Sequence, residues 1–273
     1  MTSAAARQGP ISPGNVVSAA LRIYRDQFKV FFLLALKSFF WLFVPIYGWA
    51  KVGVHTATIS RLAHQILVDQ PETPQQAYKQ LNPKLWSFLG VGFLAILAIG
   101  TAYVILAIAG SIVGGLIVFV LSAILSAALG DAGTFIATII GILVGVCIWL
   151  IGFIQVLSRL FIAEIPLAME ANTKASDSLS RSWNLTKSSV GRVQLVVLAT
   201  YIVTIPLFII GGWLPQLLLI RLDPTAPITQ VLSLLLFFVS LAINIAVIPF
   251  WQAAKGILYY DLRSRREGAD LKI

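Results

Sequence analysis

"LWSFLGVGFLAILAIGTAYVILAIAGSIVGGLIVFVLSAILSAALG", residues 85–130, carries no charged side chain. A bilayer core takes about 20 apolar residues per helix, so this run alone holds enough for two crossings. After the lone Asp131, in the turn signal "GDAG", a second charge-free run extends from Ala132 to Ser158. The whole chain follows suit, with 58% hydrophobic and 11% charged residues and a mean hydropathy of +0.89. Soluble domains carry about 25% charged residues. The fold class is therefore all-α, a polytopic transmembrane helix bundle with interfacial amphipathic helices. The expected spans are 30–47, 85–108, 111–130, 134–157, 193–216 and 229–250.

Small residues are spaced for close helix packing. Ser122, Ser126 and Gly130 recur every fourth residue, as do Gly133, Ala137, Gly141 and Gly145, and Gly110 and Gly114 form a further pair. Lipid supplies little hydrophobic drive between helices, so close backbone approach provides the packing energy. Residues 111–157 thus read as a tight helical hairpin, in preference to a dimer joined through the same glycines. The single cysteine, Cys147, has no disulfide partner and reads as a small core residue.

Outside the spans the chain is organised by charge. Residues 1–14 are polar and rich in Pro, Gly and Ser, and they read as a disordered tail with no apolar segment before a cleavage site. A single helical membrane domain is expected over 15–273, with Asn15 as its first N-cap. Amphipathic helices are expected over 16–28, 57–69 and 175–187, the first lying on the membrane surface or, as the alternative, packed on the protein's own bundle. A short helix should start at Thr73 and Pro74, and Gly268 should end the last one. Asp177 and Arg181 are spaced to pair at i,i+4.

The formal net charge is +9. The Lys and Arg residues gather at the ends of apolar segments, where they set topology and meet anionic headgroups. No nucleic-acid motif accompanies them. Four lie in the region up to Lys29, four in 48–84, five in 159–192 and five from Lys255 onward. The positive-inside rule puts both termini and both long loops in the cytosol. A single crossing by 30–47 contradicts that. The contradiction goes if 30–60 enters and returns around Pro45 and Gly48. A second conflict remains, because three spans between 85 and 157 join two loops that both belong inside.

Three stretches resemble a known group: "VPIYGWAK" (44–51), "SLSRSWNLTKSS" (178–189) and "ILYYDLRSRREGADL" (257–271). They are similar to bacterial membrane proteins related to the membrane domain attached to some glycerophosphodiester phosphodiesterases. The tail is the most specific match, and the version here looks most like those of oxygen-evolving photosynthetic bacteria. The resemblance implies a multi-helix domain in a bacterial plasma or thylakoid membrane. It does not imply the phosphodiesterase, which is a separate soluble barrel.

Catalytic signatures are missing. His55 and His64 are nine residues apart on opposite sides of a helix, and no zinc, phosphate-loop or nucleophile-elbow motif occurs. No enzyme activity, metal or cofactor is expected. Candidate contacts to anionic lipid headgroups or to another membrane protein are Trp183, Lys187, Tyr259, Tyr260, Arg263, Arg265 and Arg266. Lys37, Glu164 and Asn244 are polar residues within or beside apolar segments. Lys37 reads as snorkelling, Glu164 as pairing with Arg159, and Asn244 as bonding between helices. These features point to a non-enzymatic scaffold or assembly factor. The alternative is a transporter or lipid-handling protein, resting on Lys37, Glu164 and the break at Pro45.

Overall fold

The structure, a computed structural model, describes residues 11–223 and 225–268. All regular secondary structure among them is helical. Ile11–Gly14, expected within the tail, belong to the fold. Ser12, not Asn15, is the N-cap of helix α1 (Pro13–Asp26), its Oγ accepting the Asn15 N–H at 3.2 Å. Pro13 supplies a preset φ at the first turn, which moves the start upstream. Residues 1–10 and 269–273 lie outside the described residues.

Helices α2 (Phe28–Trp41) and α3 (Tyr47–Leu67) are joined by a tight reversal over 42–46. At the bend Ile46 has φ 60° and the Tyr47 N–H donates to the Pro45 carbonyl at 2.7 Å, a γ-turn. The chain therefore reverses direction here, at the bend expected around Pro45 and Gly48. Helix α4 (Pro74–Leu81) begins with a capping box between Thr73 and Gln76. A 3₁₀ turn, Asn82–Lys84, leads into α5 (Leu85–Leu129).

Helix α5 corrects the sequence reading. The two spans expected at 85–108 and 111–130 are one continuous helix, about 67 Å long at 1.5 Å per residue. Gly110 does not break it. A glycine within a helix costs only about 1 kcal/mol, and in an apolar medium every opened backbone bond costs more. The break comes at Gly130, which takes φ 58° and caps the helix by donating to the Ser126 carbonyl at 2.8 Å. Asp131 then opens α6 (Asp131–Leu160), where the helix dipole favours a negative charge.

Helices α7 (Ile165–Met169) and α8 (Ala175–Thr186) form the charged connection. Helix α9 (Val190–Phe208) passes Pro206 into a π-helical turn, Ile209–Trp213, and then α10 (Leu214–Leu219). Helix α11 (Pro227–Glu267) runs through Pro249 and ends at Gly268 in the left-handed conformation, where the sequence places its stop. Four helical stretches are long and apolar enough to cross a membrane: Pro74–Leu129, Asp131–Met169, Val190–Leu219 and Pro227–Glu267. The chain is a membrane-embedded helical bundle.

The described residues fall into two compact units. One unit is drawn from the chain up to Gly92 and from Phe161 onward, and the other is Phe93–Leu160. In the first, α1 presents Val16, Val17, Ala20 and Ile23 to a core shared with α2, α3, α9 and α11. Its apolar stripe is thus covered by protein, not laid on a membrane surface. A second core joins the start of α3 to α4, α7 and the first turns of α5.

The second unit is the α5–α6 hairpin. A Cβ on Gly110 would lie 2.5 Å from the Gly145 carbonyl oxygen, and one on Gly114 would lie 2.6 Å from that of Gly141. Near the turn, a Cβ on Gly133 would meet the Leu125 carbonyl oxygen at 2.3 Å and Ser126 N at 2.9 Å. Ala137 is buried between these levels, while the Ser122 hydroxyl turns back to the Phe119 carbonyl at 3.0 Å. Cys147, expected in the core, is exposed on the outer surface of this hairpin.

Candidate functional site

The charges of the tail have a different role from the one their sequence suggests. Tyr259 is completely buried, and its hydroxyl donates to Glu170 Oε1 at 2.8 Å. It therefore cannot touch lipid or a partner. The surrounding core of α1, α3 and α9 encloses the end of α11 on several sides. Tyr260 is half-buried and faces the His64 ring at 6.0 Å.

The tail arginines are paired within the chain. Arg263 Nε lies 2.8 Å from Glu267 Oε2, and Arg265 Nε lies 3.2 Å from Asp261 Oδ1. Arg181 bridges Glu170, at 3.0 Å, and Glu267. It does not pair with Asp177, which instead accepts from the Ser176 hydroxyl at 3.3 Å. Asp261 is wholly buried and also receives Arg192 and, at 2.8 Å, the Ile11 N–H. Arg266, Trp183 and Lys187 remain exposed.

These contacts belong to a wider network. Arg61 joins Glu72, donates to the Ala168 carbonyl at 2.8 Å and reaches Gln80 Oε1 at 2.6 Å. Lys84 donates to the carbonyls of Leu167 and Glu170 at 3.0 and 2.6 Å, satisfying the C-terminal end of α7. Ser178 accepts the Leu167 N–H at 3.0 Å and donates to the Ala163 carbonyl at 2.6 Å, tying α8 to α7. Glu164 pairs with Lys255 Nζ at 2.6 Å, a partner 91 residues away. Together they form a platform in which α3, α4, α7, α8, α9 and α11 are cross-tied by charge.

Two further candidates are placed otherwise. Asn244 donates to the Ser240 carbonyl of its own helix at 2.8 Å, so it does not bond between helices. Lys37 is exposed on α2 and makes no hydrogen bond or ion pair among the described residues. His55 and His64 occupy separate environments. His64 is enclosed beside Tyr259 and Tyr260, and burial, then the charges of Arg263 and Arg61, lower its pKa to about 4. No group of three His, Cys, Asp or Glu suited to a metal occurs among the described residues.

Sequence reading missed Arg61, Glu72, Glu170 and Arg192, because their partners lie far away in the chain. The Arg61 bond to Ala168 spans 107 residues and the Arg192 bond to Asp261 spans 69. Helical spacing signals only pairs three or four residues apart.

No protein-family model, curated protein or solved structure matches the chain.

Proposed function

We propose that this chain is a non-enzymatic membrane scaffold, which uses its apolar helices to hold a rigid charged platform against one face of the bilayer. The cross-tied platform is the observation that carries this reading. Breaking a buried pair by removing one partner costs about 3–5 kcal/mol; the platform holds one at the wholly buried Asp261, with partly buried pairs at Glu72 and Glu170 beside it. A transporter needs an element with two arrangements of similar energy, whereas ion pairs and hydrogen bonds that tie six helices together favour one arrangement. Helix α8 supplies an accessible edge through Trp183 and Lys187. The bacterial setting and the cytosolic position of the platform follow from the charge distribution and the family resemblance, and they belong to this proposal.

The test is cross-linking mass spectrometry on the full chain in its own membranes. A scaffold should give a defined protein partner cross-linked at α8 or at Lys187, its C-cap. That partner should be lost from a Trp183→Ala, Lys187→Glu variant that keeps the wild-type melting temperature. Solute flux through proteoliposomes containing only this chain would instead establish the transporter reading.

A further inference from the structure

Helix α11 carries two carboxamides on an open face. Gln230 and Asn244 are the only carboxamide side chains between Pro227 and Phe250, and both are exposed. They stand two heptads apart, which returns them to one side of a helix that packs on another. Leu234, Phe237 and Leu241 lie between them, so positions 230, 234, 237, 241 and 244 advance by four, three, four and three residues. Leu234 and Phe237 are 59% and 60% exposed, and Leu241 is half-buried. Alternating steps of four and three are those of a seam between two helices.

Asn244 is the costly member of this stripe. The chain has no charge between Asp223 and Lys255, and residue 239 is the middle of that stretch. Asn244 lies about 7 Å from the middle at 1.5 Å per residue, whereas bilayer hydrocarbon reaches about 15 Å to either side of its centre. Its Nδ2 donates to the Ser240 carbonyl at 2.8 Å. A carboxamide has a second N–H and an accepting oxygen, and neither has a partner among the described residues. The nearby Ser233 is different, because its single donor is met by the Gln230 carbonyl at 2.8 Å. Lipid tails offer Asn244 nothing, and an unmet polar group in hydrocarbon is costly.

The chemistry of the group identifies its complement. An unmet donor beside an unmet acceptor is matched by the same pair turned round. Copies of one chain inserted in the same direction are related by a two-fold axis along the membrane normal, so each residue meets its equivalent at equal depth. Two Asn244 side chains then exchange hydrogen bonds in both directions. Gln230, toward the other end of the span, repeats the match in the same register. Interhelical carboxamide bonds of this kind hold membrane helices together, and a polar residue at one seam position fixes register and oligomer state.

We propose that α11 is a dimerisation helix, two copies of this chain packing Leu234, Phe237 and Leu241 along a common seam and exchanging hydrogen bonds between their Asn244 carboxamides. The interface is independent of the scaffold reading.

The experiment uses the full chain with Cys147→Ser, reconstituted in phosphatidylcholine vesicles and oxidised. Leu234→Cys and Leu241→Cys should each cross-link to a dimer, whereas Leu235→Cys and Ala242→Cys, one residue off the seam, should not. Energy transfer between labelled copies, followed as the vesicles are diluted with lipid, measures the affinity. Asn244→Leu should weaken dimerisation about tenfold, as the loss of two interhelical hydrogen bonds implies, and Asn244→Gln should keep most of it. Asn244 is exposed, so the melting temperature of the detergent-solubilised monomer should be the same in all three proteins. A wild-type chain that stays monomeric at high protein density would overturn the proposal. So would unchanged affinity in Asn244→Leu, equal cross-linking at all four cysteine positions, or a dimer that none of them cross-links.

Discussion

Tyr259 and Tyr260 are adjacent in sequence and opposite in role. Tyr259 gives its hydroxyl to Glu170 in a closed environment, while Tyr260 is half-buried and has no such acceptor. A hydrogen bond to a charged group contributes about 1.5–3 kcal/mol. Tyr259→Phe should lower stability in detergent by about that amount, and Tyr260→Phe should leave it nearly unchanged; thermal unfolding of the two variants checks this. His64, beside them, couples the same region to pH. Its folded pKa of about 4 lies below the ordinary 6.5, so the unfolded chain binds more protons between those values. Its contribution is fully present above pH 6.5 and is lost as pH falls toward 4, by about 3 kcal/mol at most. The slope of stability against pH in that window should flatten in His64→Gln. An unchanged slope would assign the dependence to other groups.

At the scale of elements, the α5–α6 hairpin depends on glycine at particular heights. Gly141 and Gly145 face the backbone of Gly114 and Gly110, which cannot move aside without parting the helices. Gly152 faces only the Leu106 side chain, the nearest atom being 2.6 Å from an added Cβ, and a leucine side chain can change rotamer. Overpacking typically costs about 1–3 kcal/mol. Gly141→Leu and Gly145→Leu should therefore lower the melting temperature well below that of Gly152→Leu. Three equal melting temperatures would contradict the backbone contact as the source of hairpin stability.

For the whole molecule, the single helix over 85–129 changes the parity of the chain. One helix leaves through α5 and one returns through α6, so the charged connections before and after them fall on the same side of a membrane that both cross. With the reversal between α2 and α3 not crossing, 48–84 is expected on that side too, and four crossings would then agree with the charge count. With Cys147→Ser as background, Gln75→Cys, Ser180→Cys and Arg266→Cys should resist an impermeant thiol reagent added from outside. Asp131→Cys and Asp223→Cys, at the opposite turns, should react. Labelling at position 75 from outside would mean that 28–41 crosses the membrane once.

Much of this was legible in the chain as written. Composition and the charge-free runs determined a helical membrane protein, because the bilayer imposes a length and polarity rule on any segment that crosses it. The glycine spacing, the Thr73 cap and the Gly268 stop were readable for a similar reason, since each depends on neighbours within one or two helical turns. The tertiary structure decided what depends on distant partners. Only packing shows that Gly110 continues a helix and that the arginines of the tail turn inward to Asp261 and Glu267. Charge is a property of a residue, but its pairing is a property of the fold. In this chain partners are brought together from 250 residues away and more, as Ile11 is to Asp261 and to Arg265, and no local pattern records that.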